Sequence, residues 1–268
     1  MKKSLRVPLL ILAMMIVATI ANAQQVPDPR VADLVRVGKI RVGLFFPQYV
    51  KDPATGELKG AWSEIAQALA ARIGVQVVVL EHPTPLKAIE CLKAGACDLL
   101  FLPLDDRAAS VGDFSPPIFQ YDYTLLVPAG SSIRSVADAD RPGVRIAAVR
   151  NHASSVALSR LLKQAELVYA ETPDPTFDLL RSGRAGAYAS TRPVLLGYST
   201  QLAGSRVLED RYGANLNRMV VPKGKAEWLA YVSEFVEAAK ASGLVQKAID
   251  RSGTRGITVP PPGDPSAQ

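Results

Sequence analysis

The sequence predicts an α/β protein of two lobes, each a mostly parallel sheet flanked by helices, joined by two hinge strands. Three observations carry this. Strand-length apolar runs alternate with helical periodicities in a β-α-β-α-β order, which implies a parallel sheet covered by helices. The pattern then restarts: Leu180-Arg-Ser-Gly-Arg-Ala-Gly-Ala-Tyr echoes Leu92-Lys-Ala-Gly-Ala-Cys-Asp-Leu-Leu position for position up to the strand. Two apolar strands, Leu125-Leu126-Val127-Pro128 and Met219-Val220-Val221-Pro222, each end in proline and suit segments that cross between lobes.

The chain opens with Lys2, Lys3 and Arg6, an apolar run over 7–20, and Ala21-Asn22-Ala23. A basic start, a run short for a membrane span and an Ala-x-Ala end describe a cleaved secretory signal over 1–23. The mature chain is expected to begin near Gln24, in the periplasm, and no cysteine near the cleavage site offers a lipid anchor. Residues 39–44 read as a first strand. Trp62, Ile65, Ala66, Leu69, Ala70 and Ile73 recur at helical spacing, closed by Gly74. The β-branched run 75–80 is a second strand. Thr84 caps a helix with Pro85 in its first turn and Leu86, Ile89 and Leu92 on one face. A strand over 97–102 completes the unit.

In the second copy, 145–149 and 167–170 read as strands, and 154–163 and 176–181 as helices. After the return strand, Trp228, Tyr231, Val232, Phe235, Val236 and Ala239 mark an amphipathic helix stopped by Gly243. A shorter helix covers 244–250. Lobe 1 is thus discontinuous, 24–126 and 222–258, lobe 2 is 127–221, and the proline-rich 259–268 reads as a disordered tail.

The net charge of +6 falls to +3 once the three cationic residues of the signal are removed, and the basic residues are scattered. No nucleic-acid footprint follows from that. Two cysteines and two histidines, far apart, make no metal-site pattern, so neither metal nor cofactor is expected. Cys91 and Cys97 flank the Gly95 turn and read either as a disulfide or as two buried thiols.

The stretch 94–127 bears most directly on function. The apolar run Leu99–Leu102, bounded by a glycine turn and a proline, suits a strand buried on both faces. Arg107 follows its carboxyl end, where ligands bind in open α/β sheets and a guanidinium can grip a carboxylate with two parallel hydrogen bonds. Gly-x-x-Asp, this strand, Arg107, then Asp113-Phe-Ser-Pro-Pro and a second apolar strand resemble the bacterial extracellular solute-binding proteins of family 3. Gly56-Glu-Leu-Lys-Gly60 matches that family's turn before its first helix.

The resemblance covers nearly the whole mature chain. It implies a type II periplasmic binding protein fold, and a monomer that closes around a solute and delivers it to ABC permease subunits. It places Arg107 on a ligand carboxylate, Asn151 and His152 at the helix start that holds the same group, and Phe46 or Tyr49 against the ligand's body. Departures from the family's amino-acid receptors are equally informative. Leu104 stands where a threonine is usual, and Leu102 is apolar at the strand end. Gly186 and Thr191 replace the two aspartates of the second lobe, the latter being the partner of an α-ammonium. A closed cleft leaves such an ammonium uncompensated. The expected ligand is therefore a small carboxylate-bearing solute other than a standard α-amino acid. The alternatives are a cyclohexadienyl-dehydratase-like enzyme, with Glu64, Asp106 or His152 as acid or base, and a periplasmic ligand-sensing partner protein. With no catalytic constellation in the sequence, a non-enzyme is expected.

Overall fold

The computed structural model describes residues 28–45, 48–52 and 54–263. The expected secretion signal and Phe46 lie outside the described residues. A 3-10 turn (Pro29–Val31) and α1 (Ala32–Val37) lead into β1 (Lys39–Phe45). A hairpin of β2 (Val50–Lys51) and β3 (Leu58–Lys59) precedes α2 (Ala61–Ile73). β4 (Gln76–His82), α3 (Pro85–Lys93) and β5 (Leu99–Pro103) follow, then the short α4 (Asp106–Ala109). The long β6 (Gly112–Val127) and a single turn, α5 (Val136–Ala139), open the second unit. That unit holds β7 (Arg145–Val149), α6 (Ala153–Leu161), β8 (Glu166–Ala170), α7 (Pro173–Arg181), β9 (Ala187–Thr191) and α8 (Arg192–Ser199). β10 (Arg206–Val207) and β11 (Gly213–Pro222) return the chain to α9 (Ala226–Ala241), α10 (Leu244–Ser252) and β12 (Ile257–Thr258).

One sheet runs β4-β1-β5-β11-β6-β9-β7-β8, with β10 and β12 added to β6. β1 pairs in parallel with β4 and β5, and β7 in parallel with β8 and β9. Between these parallel sets run β6 and β11, antiparallel to each other. Their ladder shifts register around Arg218, where β11 still pairs with β5; such a bulge adds local twist to the strand. Two lobes result, each with a core on both faces of its strands. In the first, α2, α9 and α10 cover one face and α3 the other. In the second, the two faces bury separate clusters around Leu158 and Phe177.

The internal echo of the sequence is a structural repeat. Gly95 and Gly183 both adopt left-handed φ, of 66° and 73°, at the ends of α3 and α7. Each following chain then docks on the lobe's first strand in the same way: Asp98 N–H donates to Arg41 O, and Gly186 N–H to Arg145 O, both at 2.8 Å. In the first lobe the aspartate adds a bidentate pair to the Arg41 guanidinium, at 2.9 and 2.6 Å. Gly186 forgoes that partner in the second.

Two expectations need correction. Leu125 and Leu126, assigned to the first lobe by a boundary at 126, pack in the second lobe's clusters and pair with β9. Residues 219–221, assigned to the second lobe, pack in the first lobe's. Composition could not see this, because the runs 125–127 and 219–221 are both apolar and read alike. Residues 259–263, expected in the disordered tail, dock on α9. Lys240 Nζ donates to Pro261 O at 3.3 Å, and Gly263 N–H to Glu237 Oε2 at 3.0 Å.

Candidate functional site

A cavity of about 930 Å³ opens between the lobes. The first lobe contributes Phe45 at the end of β1, Leu102 and Pro103 at the end of β5, and Thr84, Pro85, Leu86 and Ile89 from α3. All lie at the carboxyl ends of the parallel strands, the expected place for a ligand in such sheets. The second lobe contributes the first turn of α7 and the cleft-facing side of α8. Tyr121, Asn215 and Asn217, on the two crossing strands, form the floor.

That floor is a fixed aromatic platform. Trp62 stacks on Tyr121 at 6.2 Å between centroids and meets Phe119 at 5.0 Å with the rings tilted by 51°. Its indole N–H donates to Asn217 Oδ1 at 3.4 Å. Gln48 is buried, accepting from Phe45 N–H at 3.3 Å and donating to Phe101 O at 2.7 Å, which ties the loop after β1 to β5. Burial holds the Tyr121 phenol well above its usual pKa, so it faces the cleft as a neutral donor.

Among the described residues, three charged groups line the cavity: Arg107, Asp105 and Asp174. Asp105 is the N-cap of α4, its Oδ1 accepting from Ala108 N–H at 2.8 Å. Arg107, two residues on, donates to the other carboxylate oxygen at 3.2 Å and keeps 72% of its side chain exposed. The guanidinium is thus anchored on one edge only. Asp174 accepts from the Tyr198 hydroxyl. Burial and then that contact raise the Tyr198 pKa, and the ring stacks on Phe177 at 4.6 Å. Thr191, the N-cap of α8, makes no capping bond with its hydroxyl. Its neighbour Arg192 is committed, donating to Leu208 O at 2.9 Å and Glu209 O at 2.8 Å and lying 3.7 Å from Asp122.

Of the residues expected at the site, Arg107, Leu102 and Thr191 line the cavity. Tyr49 does not; it packs against the first lobe's core, its hydroxyl directed at Glu81. Leu104 is 54% exposed beyond the end of β5. Asn151, in a left-handed turn with φ 59°, and His152, the N-cap of α6, are exposed and outside the lining. The second lobe's wall is built by α7 and α8 instead. Cys91 and Cys97 are disulfide-bonded, with Cα atoms 5.4 Å apart. The acid–base candidates are elsewhere too: Glu64 pairs with Arg251 at 2.8 Å, and neither it, Asp106 nor His152 lines the cavity.

Sequence reasoning missed Trp62, Asp174, Tyr198 and Asn217. Trp62 sits on the core face of an amphipathic helix, where a cleft residue and a core residue have the same periodicity. The signal for α8 was present: Thr191-Arg192-Pro193 is a capping residue with proline in the first turn, a helix start.

A profile of the bacterial extracellular solute-binding proteins, family 3, matches residues 40–253. An ABC transporter glutamine-binding protein, GlnH, of Bacillus subtilis (strain 168) is 26% identical over 204 residues, 72% of each chain. A glutamine-binding protein of Geobacillus stearothermophilus is 25% identical over 182 residues, 65% of this chain and 69% of that one. Among solved structures, the ancestral amino acid-binding protein AncCDT-1, a precursor of cyclohexadienyl dehydratase, is 26% identical. It superposes with a TM-score of 0.61 over 83% of this chain and 98% of its own. Among the described residues no helix is long and apolar enough to cross a membrane. With its matched residues, two-lobe sheet and inter-lobe cavity, the chain belongs to the bacterial extracellular solute-binding proteins, family 3.

Proposed function

We propose that this protein is the periplasmic solute-binding component of an ABC importer, and that it captures a small carboxylate-bearing solute in the inter-lobe cavity. The carrying observation is Arg107: it stands at the carboxyl end of β5, on the cavity, bound on one edge by Asp105 and open on the other. A carboxylate would occupy the open edge with two charge-assisted hydrogen bonds. The aromatic floor of Trp62 and Tyr121 would carry an apolar body. Closure would bend β6 and β11 where they cross between the lobes, bringing α8 and Asp174 over the ligand. Lobe 1 then reaches from the start of the mature chain into β6 and resumes in β11, and lobe 2 lies between. The closed, loaded form is the one that permease subunits would receive.

The ligand is proposed to lack an α-ammonium. Gly186 offers no side chain, and Thr191 offers only a hydroxyl. The relatives named for glutamine make standard amino acids the necessary control. The test is thermal unfolding of the mature protein against amino acids, organic acids and aromatic acids. A ligand at a hundred times its dissociation constant adds about 2.7 kcal/mol, a shift of roughly 5–10 °C for a chain of this size. A shift with organic acids but not amino acids is expected. A shift with standard amino acids would transfer ammonium binding to Asp174 and overturn the ligand class while leaving the receptor function in place.

A further inference from the structure

Behind the cleft, at the far end of α3, lies a cluster that the solute-binding reading does not use. His82, Cys91 and Cys97 hold ligand atoms that all lie within 4.8 Å of one another. Three elements converge there: β4 ends at His82, Cys91 sits in the last turns of α3, and Cys97 precedes β5. His82 Nε2 lies 3.6 Å from Cys97 Sγ. Glycine at position 43 on β1 keeps this approach open, since a Cβ there would stand 3.1 Å from Cys97 Sγ and 3.3 Å from His82 Cδ2.

We propose that reduction of the Cys91–Cys97 bond turns this cluster into a Cys2His site for a thiophilic cation of the zinc class, with a fourth position left open. A dithiol reductant supplies two electrons and two protons, leaving two thiols on this chain and a disulfide on the reductant. The cation then displaces both thiol protons, and His82 binds through Nε2 while Nδ1 keeps its hydrogen.

The geometry is close to what such a site needs. With Zn–S of about 2.3 Å and Zn–N of about 2.05 Å, a tetrahedral site has an S–N edge of about 3.5 Å and an S–S edge of about 3.8 Å. The Cys97–His82 separation of 3.6 Å already matches the first edge. The second needs only rotation about the two Cα–Cβ bonds, whose Cα atoms are 5.4 Å apart. Because α3 carries Cys91 near one end and the cleft residues Thr84, Pro85 and Leu86 at the other, the cluster's state is one short helix from the bound solute.

The experiment is a Co²⁺ titration under anaerobic conditions, followed by sulfur-to-cobalt charge-transfer absorbance. The reductant is a phosphine, which ends as its oxide with water supplying the oxygen and the two thiol protons. One equivalent should bind the reduced protein and none the oxidised protein, with Zn²⁺ displacing it. His82→Ala should weaken the reduced protein's affinity at least about tenfold, as loss of a ligand exceeds loss of an outer-shell partner. Absence of the band in reduced, folded protein would overturn the proposal, as would equal binding by oxidised protein or by His82→Ala. Should reduction unfold the chain, Cys91→His keeps three donors without a disulfide. Its failure to bind Co²⁺ while folded would be equally decisive.

Discussion

Arg107→Ala should separate ligand binding from stability more cleanly than any other change in the cleft. The side chain is 72% exposed and its one ion pair, with Asp105, is at the surface, where such pairs contribute about 0–1 kcal/mol. The Asp105 cap on Ala108 N–H stays in place without the arginine, so the melting temperature of the free protein should barely move. Binding is another matter. Two charge-assisted hydrogen bonds to a carboxylate contribute about 1.5–3 kcal/mol each, reduced by the hydration and Asp105 contact that the free guanidinium already has. A net loss of about 3 kcal/mol raises Kd about 100-fold, at 1.4 kcal/mol per tenfold. The assay is intrinsic fluorescence with the solute that scores in the thermal panel. The chain has two tryptophans, and Trp62 lines the cavity. A Kd within a factor of about three of wild type, less than 1 kcal/mol, would remove Arg107 from the site.

Two further outcomes test the frame around the cleft. Asp140 accepts from the backbone N–H groups of Lys163, Gln164 and Ala165, at 2.8 to 3.1 Å, and these bonds hold its carboxyl below the usual 3.8. A depressed folded pKa stabilises above the unfolded value and is lost as pH falls through the folded one. Asp140→Asn should therefore melt lower at neutral pH, with the gap to wild type closing below pH 3.8, and a gap constant down to strong acid would refute the assignment. The Cys91–Cys97 bond closes a short loop, with a sequence separation of 6. Replacing both cysteines by alanine should cost about 2 kcal/mol of unfolding free energy, a drop of about 4–8 °C in the melting temperature. An unchanged melting temperature would refute that estimate.

Much of the architecture was readable because it rests on local periodicity. The β-α-β-α-β alternation, the helix caps at Thr84 and Gly74, and the Gly95 and Gly183 turns each depend on residues within a few positions of one another. The repeat between the lobes was visible for the same reason, and the matched hydrogen bonds of Asp98 and Gly186 give it a physical basis. Arg107 could be found because it follows its strand directly. The rest of the site depends on distant segments meeting. Asp174 and Tyr198 reach the cavity only because α7 and α8 pack side by side over the second lobe's strands. Nothing local distinguishes Trp62, whose indole meets Asn217 across 155 positions of sequence, from a core tryptophan.

By itself, the sequence determined the order of strands and helices, the two-fold repetition and the cationic group at the mouth of the first lobe. These follow from short-range propensity and apolar spacing. The tertiary structure alone decided where the chain crosses between lobes, which helices face the cleft, and that Tyr49, Leu104, Asn151 and His152 stand outside it. Those outcomes turn on how the two parallel sets join in one sheet along β6 and β11, whose apolar runs 125–127 and 219–221 read alike in sequence, so the choice rests on side chains far apart in the chain.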